Sequence, residues 1–139
     1  MEAPEQKMAA PEVSKASACV LLVEDNEDVR EVLRETLLMD GYHVEVAVDG
    51  ATALQAAITL NPQLAVVDIG LPDMDGYELA RRMRKALGAN IVLVALTGYN
   101  TPEDRQEAYQ AGFDAHLVKP ADPGALERIL AAAGVRKIG

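Results

Sequence analysis

The stretch VVDIGLPDMDGYE, residues 66–78, places an aspartate at the end of an apolar run and follows it with a turn rich in Gly, Pro and Asp. The residues from Leu64 to Val67 are all apolar, which is typical of a strand that is covered on both faces. Asp68 would then be a carboxylate at the carboxyl-terminal end of a buried strand. Burying an ionised carboxylate is costly unless a cation or hydrogen-bond donor compensates it, so we expect the rest of the chain to supply such a partner.

Composition limits the classes of protein to which this chain can belong. Half of the 139 residues are apolar, which suits one domain with a substantial core. A net charge of −9 disfavours binding to the negatively charged backbone of a nucleic acid, so we expect no nucleic-acid partner. The single cysteine, Cys19, excludes an internal disulfide and favours the cytoplasm. No apolar stretch approaches the roughly 18 residues of a membrane span, so we expect no membrane contact.

Apolar runs alternate with helical patterns five times along the chain. The runs are CVLLVE, HVEVAV, LAVVD, IVLVAL and AHLVK, and the helices are predicted at 27–40, 50–60, 76–87, 102–111 and 123–133. This alternation predicts an α/β fold of the (βα)5 type, a doubly wound parallel sheet with helices on both faces. Residues 1–17 have no steady apolar period and are predicted to be a flexible tail or linker, 18–133 the domain, and 134–139 a short C-terminal tail.

Capping residues support the helix boundaries. Asn26 can cap the first helix, and the run Thr101-Pro102-Glu103-Asp104 resembles a capping box before the fourth. Asp122-Pro123 repeats the device before the fifth helix.

Charged residues fall at the carboxyl ends of the predicted strands, where doubly wound sheets bind their ligands. In a strand order 2-1-3-4-5 the first and third strands are neighbours, which brings Glu24, Asp25 and Asp68 together. Three carboxylates in one crevice should raise one another's pKa unless a cation joins them. An open cluster of oxygen ligands suits Mg²⁺, which is the predicted cofactor.

Two further groups complete this predicted site. Thr97, at the end of the fourth strand, offers a hydroxyl, and Lys119, at the end of the fifth, offers a positive charge. Such groups bind the oxygens of a transferred phosphoryl group, and carboxylates serve as nucleophiles in phosphoryl transfer. The residues therefore predict that Asp68 becomes phosphorylated.

The segments VLLVEDNEDVRE, VVDIGLPDMDGYELARRMR, VALTGY and AGFDAHLVKP, in this order and spacing, resemble the receiver domain of bacterial two-component response regulators over about 18–133. The resemblance implies a flavodoxin-like sheet and a phosphorelay function. Asp68 would accept phosphate from the phosphohistidine of a sensor histidine kinase or a histidine phosphotransfer domain. Glu24 and Asp25 would hold Mg²⁺, with the carbonyl of Gly70 completing the metal shell.

The same resemblance assigns phosphoryl binding to Thr97 and Lys119 and implies a cis Lys119–Pro120 bond. It also identifies a departure at residue 116, where receivers usually carry a Tyr or Phe that moves inward when the threonine is drawn to the phosphate. This chain has His116, which is smaller, polar and titratable near neutrality. We therefore expect Thr97 and His116 to form a weaker switch than an aromatic ring would give.

The sequence leaves several alternatives open. The domain takes up all the chain after the tail, so we expect output by docking on a protein partner, as a free-standing receiver or as part of a hybrid sensor kinase. The chain is not expected to be an enzyme beyond self-phosphorylation and slow self-dephosphorylation. The rivals are a small aspartyl-phosphate phosphatase, although Gly70 stands where haloacid-dehalogenase-like hydrolases carry a second acid, and an inactive interaction module.

Other notable residues are expected to have structural roles. Asp73 and Asp75 should only shape the turn around Pro72 and Gly76. The basic residues of the third helix should form a solvated face; they are Arg81, Arg82, Arg84 and Lys85. Three sulfur-containing residues are expected to fill the core, namely Cys19, Met39 and Met83.

Overall fold

A five-stranded parallel sheet forms the centre of the structure, a computed structural model that describes residues 17–138. The strands are β1 (Ser17–Val23), β2 (Val44–Ala47), β3 (Pro62–Asp68), β4 (Val92–Thr97) and β5 (Ala115–Val118). Their order in the sheet is β2-β1-β3-β4-β5, and each neighbouring pair is parallel. The doubly wound (βα)5 architecture and the strand order predicted from the sequence are both confirmed.

Five α-helices accompany the strands within the described residues; four connect consecutive strands, and the fifth follows β5. They are α1 (Glu27–Met39), α2 (Gly50–Leu60), α3 (Gly76–Leu87), α4 (Pro102–Ala111) and α5 (Pro123–Ala132). The predicted caps are present: Asn26 Oδ1 accepts from Val29 N at 3.0 Å, and Thr101 and Asp104 form a reciprocal capping box. Asp122 accepts from the second helical residue of α5, Gly124, at 3.0 Å. These caps explain why the helix starts could be predicted to the residue.

Alternation along the strands divides the core into two layers. Leu64 and Val66 of β3 pack in the layer beneath α1 and α5, whereas Ala65 and Val67 pack beneath α2, α3 and α4. All four side chains are fully buried, because helices cover both faces of the sheet. Asp68 follows directly and ends β3, buried at the carboxyl edge of the sheet.

The packed part of the chain continues beyond α5. Val135 is buried in the layer with α1 and α5, and Ile138 N donates to Gly41 O at 2.8 Å. The segment predicted as a short C-terminal tail is therefore in contact with the domain as far as residue 138. The tail predicted for 1–17 lies outside the described residues except for Ser17, with which β1 begins.

The prediction for the sulfur-containing residues was partly wrong. Cys19 and Met83 are buried, but Met39, the last residue of α1, is 87% exposed. Its place at the helix end carries it past the apolar face that Leu33 and Leu37 bury.

No helix in the described part of the chain is long and apolar enough to cross a membrane.

Candidate functional site

The carboxyl ends of four strands converge on one crevice. Glu24 and Asp25 follow β1, Asp68 ends β3, Thr97 ends β4, and Lys119 follows β5. The strand register sets Val23 beside Val67 and Thr97 beside Val118, so these ends are level across the sheet. The structure therefore brings together the five side chains that the sequence placed at this edge.

Three of these side chains form an acid cluster, which we define as Glu24, Asp25 and Asp68. One carboxylate oxygen from each lies within 4.8 Å of the others. Glu24 and Asp68 are buried, at 1% and 2% exposure, whereas Asp25 is exposed. Two carboxylates thus stand in the protein interior with a third at their solvent side.

Lys119 is the cation that compensates this cluster. Its Nζ lies 2.8 Å from Asp68 Oδ1 and 3.9 Å from Glu24 Oε1. Partial burial acts to lower the pKa of Lys119, but Asp68 and then Glu24 outweigh it, so the pKa is raised above its usual value. The lysine is therefore charged at neutral pH.

One lysine leaves the cluster incompletely compensated. Glu24 Oε2 accepts from Asn26 N at 3.0 Å, but Glu24 Oε1 is buried with no hydrogen-bond partner among residues 17–138. Burial raises the pKa of Glu24 to about 7, and the nearby Asp68 carboxylate adds to the shift, against the Asn26 N–H and Lys119. A buried oxygen without a partner, beside two further carboxylates, fits a divalent cation with oxygen ligands.

Backbone around Asp68 is held close to the sheet edge. Gly70 N donates to Asp68 Oδ1 at 3.0 Å, and Gly76 N donates to Ile69 O at 2.8 Å. A Cβ at residue 76 would lie 2.7 Å from Ile69 Cα and 2.8 Å from Asp68 O, so only glycine allows α3 to begin this close to the carboxylate. The structure places Gly70 beside Asp68, and metal binding by its carbonyl stays a prediction.

A cavity of about 360 Å³ opens beside Asp68. Its lining includes Asp68, Gly70, Thr97 and Lys119. The Thr97 hydroxyl is nearly buried and accepts from Tyr99 N at 3.1 Å. The cavity thus presents a carboxylate, a hydroxyl and an ammonium to the same space, as binding of a phosphoryl group requires.

His116 lies on β5 away from this cavity. It pairs in register with Ala95, and its Nε2 is 3.1 Å from Asn100 Oδ1 in the loop before α4. Thr97 and His116 both line a cavity of about 10 Å³. The structure thus places them near each other, and their action as a switch stays a prediction.

The sequence interpretation missed the backbone contacts of two side chains, Asp73 and Arg30. Asp73, expected only to shape a turn, accepts from Gly50 N at 2.7 Å and Ala51 N at 3.0 Å, and these hydrogen bonds lower its pKa. It therefore ties the loop after Asp68 to the start of α2. Arg30 on α1 donates to the carbonyl oxygens of Glu24 and Asp25. Neither contact has a signal in residue spacing, because both are made to backbone groups.

The Lys119–Pro120 peptide bond is cis, as the resemblance implied. The protein-family model for the response regulator receiver domain matches residues 20–131 of this chain, a range that includes every residue of the crevice. This chain belongs to the response regulator receiver domain family.

Similar proteins agree with this assignment. The response regulator MprA of Mycobacterium sp. (strain KMS) is 38% identical over 112 residues, which cover 81% of this chain and 47% of MprA. The chain thus spans about half the length of that relative. The chemotaxis protein CheY4 of Vibrio cholerae shares the fold with a TM-score of 0.78 and 33% identity, covering 85% of this chain and 99% of CheY4.

A second similar structure has a metal ion. The receiver domain of the sensor histidine kinase PA1611 from Pseudomonas aeruginosa PAO1 is 34% identical, with a TM-score of 0.77 and coverage of 86% of this chain and 99% of the other. It has magnesium coordinated in its active site cleft.

Proposed function

We propose that Asp68 is the phosphoacceptor of this receiver domain and that the donor is a phosphohistidine on a sensor histidine kinase or a histidine phosphotransfer domain. The observation that carries the proposal is the buried Asp68 carboxylate, paired with Lys119 at 2.8 Å, beside a cavity that the Thr97 hydroxyl also lines. An Asp68 oxygen forms a bond to phosphorus while the phosphorus–nitrogen bond of the donor breaks. The imidazole leaves, and the product is an acyl phosphate.

The acid cluster would hold Mg²⁺ through Glu24, Asp25 and Asp68, and the magnesium in the PA1611 receiver supports this choice of metal. The bound ion would supply positive charge to the phosphoryl oxygens. Lys119 and Thr97 would bind those oxygens from the other strand ends. Gly70 would contribute its carbonyl to the metal.

An apolar groove beside Lys119 supports a protein as donor. Its volume is about 470 Å³, and α1 and the segment after β5 line it, with Val32 61% exposed. An exposed apolar surface next to a reactive group is typical of a docking site for another protein.

The phosphorylated domain would then act by docking on a downstream protein, either as a free-standing receiver or within a hybrid kinase. The unpaired Cys19 supports a cytoplasmic location.

The chain is proposed to be a phosphoacceptor and not a turnover enzyme. The test is incubation with acetyl phosphate and Mg²⁺, with incorporated phosphate followed by intact-protein mass spectrometry and released phosphate by a colorimetric assay. We expect at most one phosphate per chain and only slow release. Sustained rapid turnover would indicate a phosphatase, and no incorporation an inactive module.

Asp68→Asn tests the assigned residue, because an amide does not form an acyl phosphate. Asp75→Asn is the matched control. Asp75 lies in the same segment, and its Oδ1 accepts from Glu78 N at 2.8 Å, a helix cap that asparagine can keep. We expect the adduct to be lost only in Asp68→Asn. An adduct that persists at full stoichiometry in this variant would overturn the assignment.

A further inference from the structure

Arg30 reaches from α1 back to the backbone of the acid pair that follows β1. Its Nη1 lies 3.0 Å from Glu24 O and 3.4 Å from Asp25 O. Arg30 is the fourth residue of α1, and the two carbonyls precede the helix. The side chain therefore joins the first turn of the helix to the segment that holds two of the three acids.

The placement is unfavourable for a cation in one respect. The amino-terminal turn of a helix carries the positive end of its dipole, where acidic side chains are preferred and basic ones are destabilising. Glu27 and Asp28 follow that preference in α1, and Arg30 does not. Charge-assisted hydrogen bonds to the two carbonyls offset this cost.

Asp25 is the member of the acid cluster that depends most on its backbone. Glu24 Oε2 is held by Asn26 N, and Asp68 Oδ1 is held by Gly70 N and Lys119. The Asp25 carboxylate is exposed and has no hydrogen bond or ion pair to any residue that the structure describes. Its position relative to the other two acids therefore depends on the backbone of Glu24 and Asp25, to which Arg30 donates.

We propose that Arg30 is a positioning residue for the divalent-cation site, holding the backbone of Glu24 and Asp25 so that the Asp25 carboxylate faces the other two acids. The inference rests on the proposed Mg²⁺ site. Partners that orient metal ligands commonly change metal affinity by 10–100-fold when they are removed. We expect the lower end of this range, about tenfold, because Arg30 acts on the ligand through its backbone.

Charge alone would have the opposite effect. A guanidinium near three carboxylates repels an incoming Mg²⁺, so its removal would tighten binding if Arg30 acted only through its field. The direction of the change in Mg²⁺ affinity thus separates positioning from repulsion. A purely structural role in α1 would lower the melting temperature and leave the affinity of the folded protein unchanged.

The experiment titrates Mg²⁺ alone into the full chain and its variants, with amide chemical shifts followed by NMR below the lowest melting temperature. Arg30→Met removes both the donors and the charge, and Arg30→Lys keeps the charge with a different donor geometry. Arg34→Met is the matched control, because Arg34 lies on the same helix and, among the residues that the structure describes, its ion pair is with the half-exposed Glu31, at 3.3 Å. Shifts of the Asp25 and Asn26 amides without metal report on the backbone directly.

Three results are expected from the proposal. Arg30→Met should bind Mg²⁺ about tenfold more weakly than wild type, Arg30→Lys should be intermediate, and Arg34→Met should match wild type. The metal-free amides of residues 25 and 26 should move in Arg30→Met and stay fixed in Arg34→Met. Unchanged or tighter Mg²⁺ binding in Arg30→Met would overturn the inference. If Arg30→Met does not fold, Mg²⁺ binding by Arg30→Lys that equals wild type would overturn it instead. Failure of wild type itself to bind Mg²⁺ would instead overturn the proposed function.

Discussion

At the carboxyl ends of the strands three acids share a crevice with one lysine, whereas at the amino ends of β4 and β5 one arginine donates hydrogen bonds to four acceptors. Arg84 donates to the carbonyl oxygens of Gly88, Ile91 and Gly112 and to the carboxylate of Asp114. We call these five residues the Arg84 clasp. Asp114 also accepts from Leu93 N at 2.9 Å. The clasp joins the end of α3 to the starts of both strands.

The difference between the two regions is the degree to which their charged side chains have partners. Every contact of Arg84 is short, so the clasp should stabilise the fold without leaving a group in need of a ligand. Among the described residues Glu24 Oε1 has no hydrogen-bond partner, and burial raises the pKa of the Glu24 carboxyl to about 7. An incompletely compensated group of carboxylates favours the binding of a cation and lowers the stability of the metal-free protein.

The largest expected effect on stability is at the clasp. Arg84→Met should lower the free energy of unfolding by about 2–3 kcal/mol, because it leaves three carbonyl oxygens and Asp114 without their charged donor. Urea unfolding followed by circular dichroism measures it. The control is Arg82→Met on the same helix, which breaks only an exposed ion pair with Glu78 and should cost no more than about 0.5 kcal/mol. Equal losses in the two variants would contradict the account of the clasp.

A smaller effect of opposite sign is expected at the acid cluster. Glu24→Gln removes a buried carboxylate but keeps an acceptor for Asn26 N, so at pH 8 with EDTA it should raise the free energy of unfolding by about 1–2 kcal/mol. The same variant should bind Mg²⁺ more weakly. Thermal unfolding and Mg²⁺ titration measure both changes, with the exposed Glu35→Gln as control. A less stable metal-free Glu24→Gln would show that the acid cluster carries no such cost.

Two groups near the amino ends of the sheet give a pH dependence. Burial raises the pKa of Cys19 from 9.0 to about 11 and that of Tyr42 from 10.0 to about 12, with the Glu127 carboxylate adding to the shift at Tyr42. The unfolded chain therefore releases these protons first, and stability should fall as pH rises from 9 to 11, with Tyr42 extending the loss to about 12.

Cys19→Ala tests this sign. Its unfolding free energy should fall less steeply than that of wild type between pH 9 and 11, because one ionisation has been removed. Chemical unfolding at a series of pH values gives the two slopes. Parallel slopes would mean that the thiol does not contribute.

The smallest expected effect concerns the switch. Thr97 should move towards the phosphoryl oxygens, and His116, 3.1 Å from Asn100 Oδ1, should follow less than an aromatic ring that gains apolar burial. NMR shifts over 108–117 on adding beryllofluoride and Mg²⁺ should be larger in His116→Tyr than in wild type. Large wild-type shifts that the tyrosine does not enlarge would contradict this expectation.

Most of the fold and the acid cluster could be predicted because their signals lie in side chains. Apolar runs mark the strands, the caps at Asn26, Thr101 and Asp122 mark the helix starts, and parallel topology brings strand ends to one edge. The strand ends then carried Glu24 and Asp68 into the same crevice.

The missed contacts are those that side chains make with backbone. Arg84 was expected on a solvated face with its neighbours, and that was wrong, because its partners are mainly carbonyl oxygens that any residue could supply. Arg30 and Asp73 likewise contact the backbone groups of residues whose side chains give no sign of the pairing. Such contacts depend on where loops pass after folding, and residue spacing does not encode that.

The most direct test of the central claim maps the phosphate to its carboxylate. Wild-type protein is labelled with acetyl phosphate and Mg²⁺, reduced with borohydride, which converts an aspartyl phosphate to homoserine, and digested for tandem mass spectrometry. We predict homoserine at residue 68 alone. It should be lost when EDTA replaces Mg²⁺ and retained in Arg84→Met, because the Arg84 clasp contributes to stability whereas the acid cluster carries out the chemistry. Homoserine at Asp25 or another acid, or at residue 68 without a need for Mg²⁺, would contradict the account.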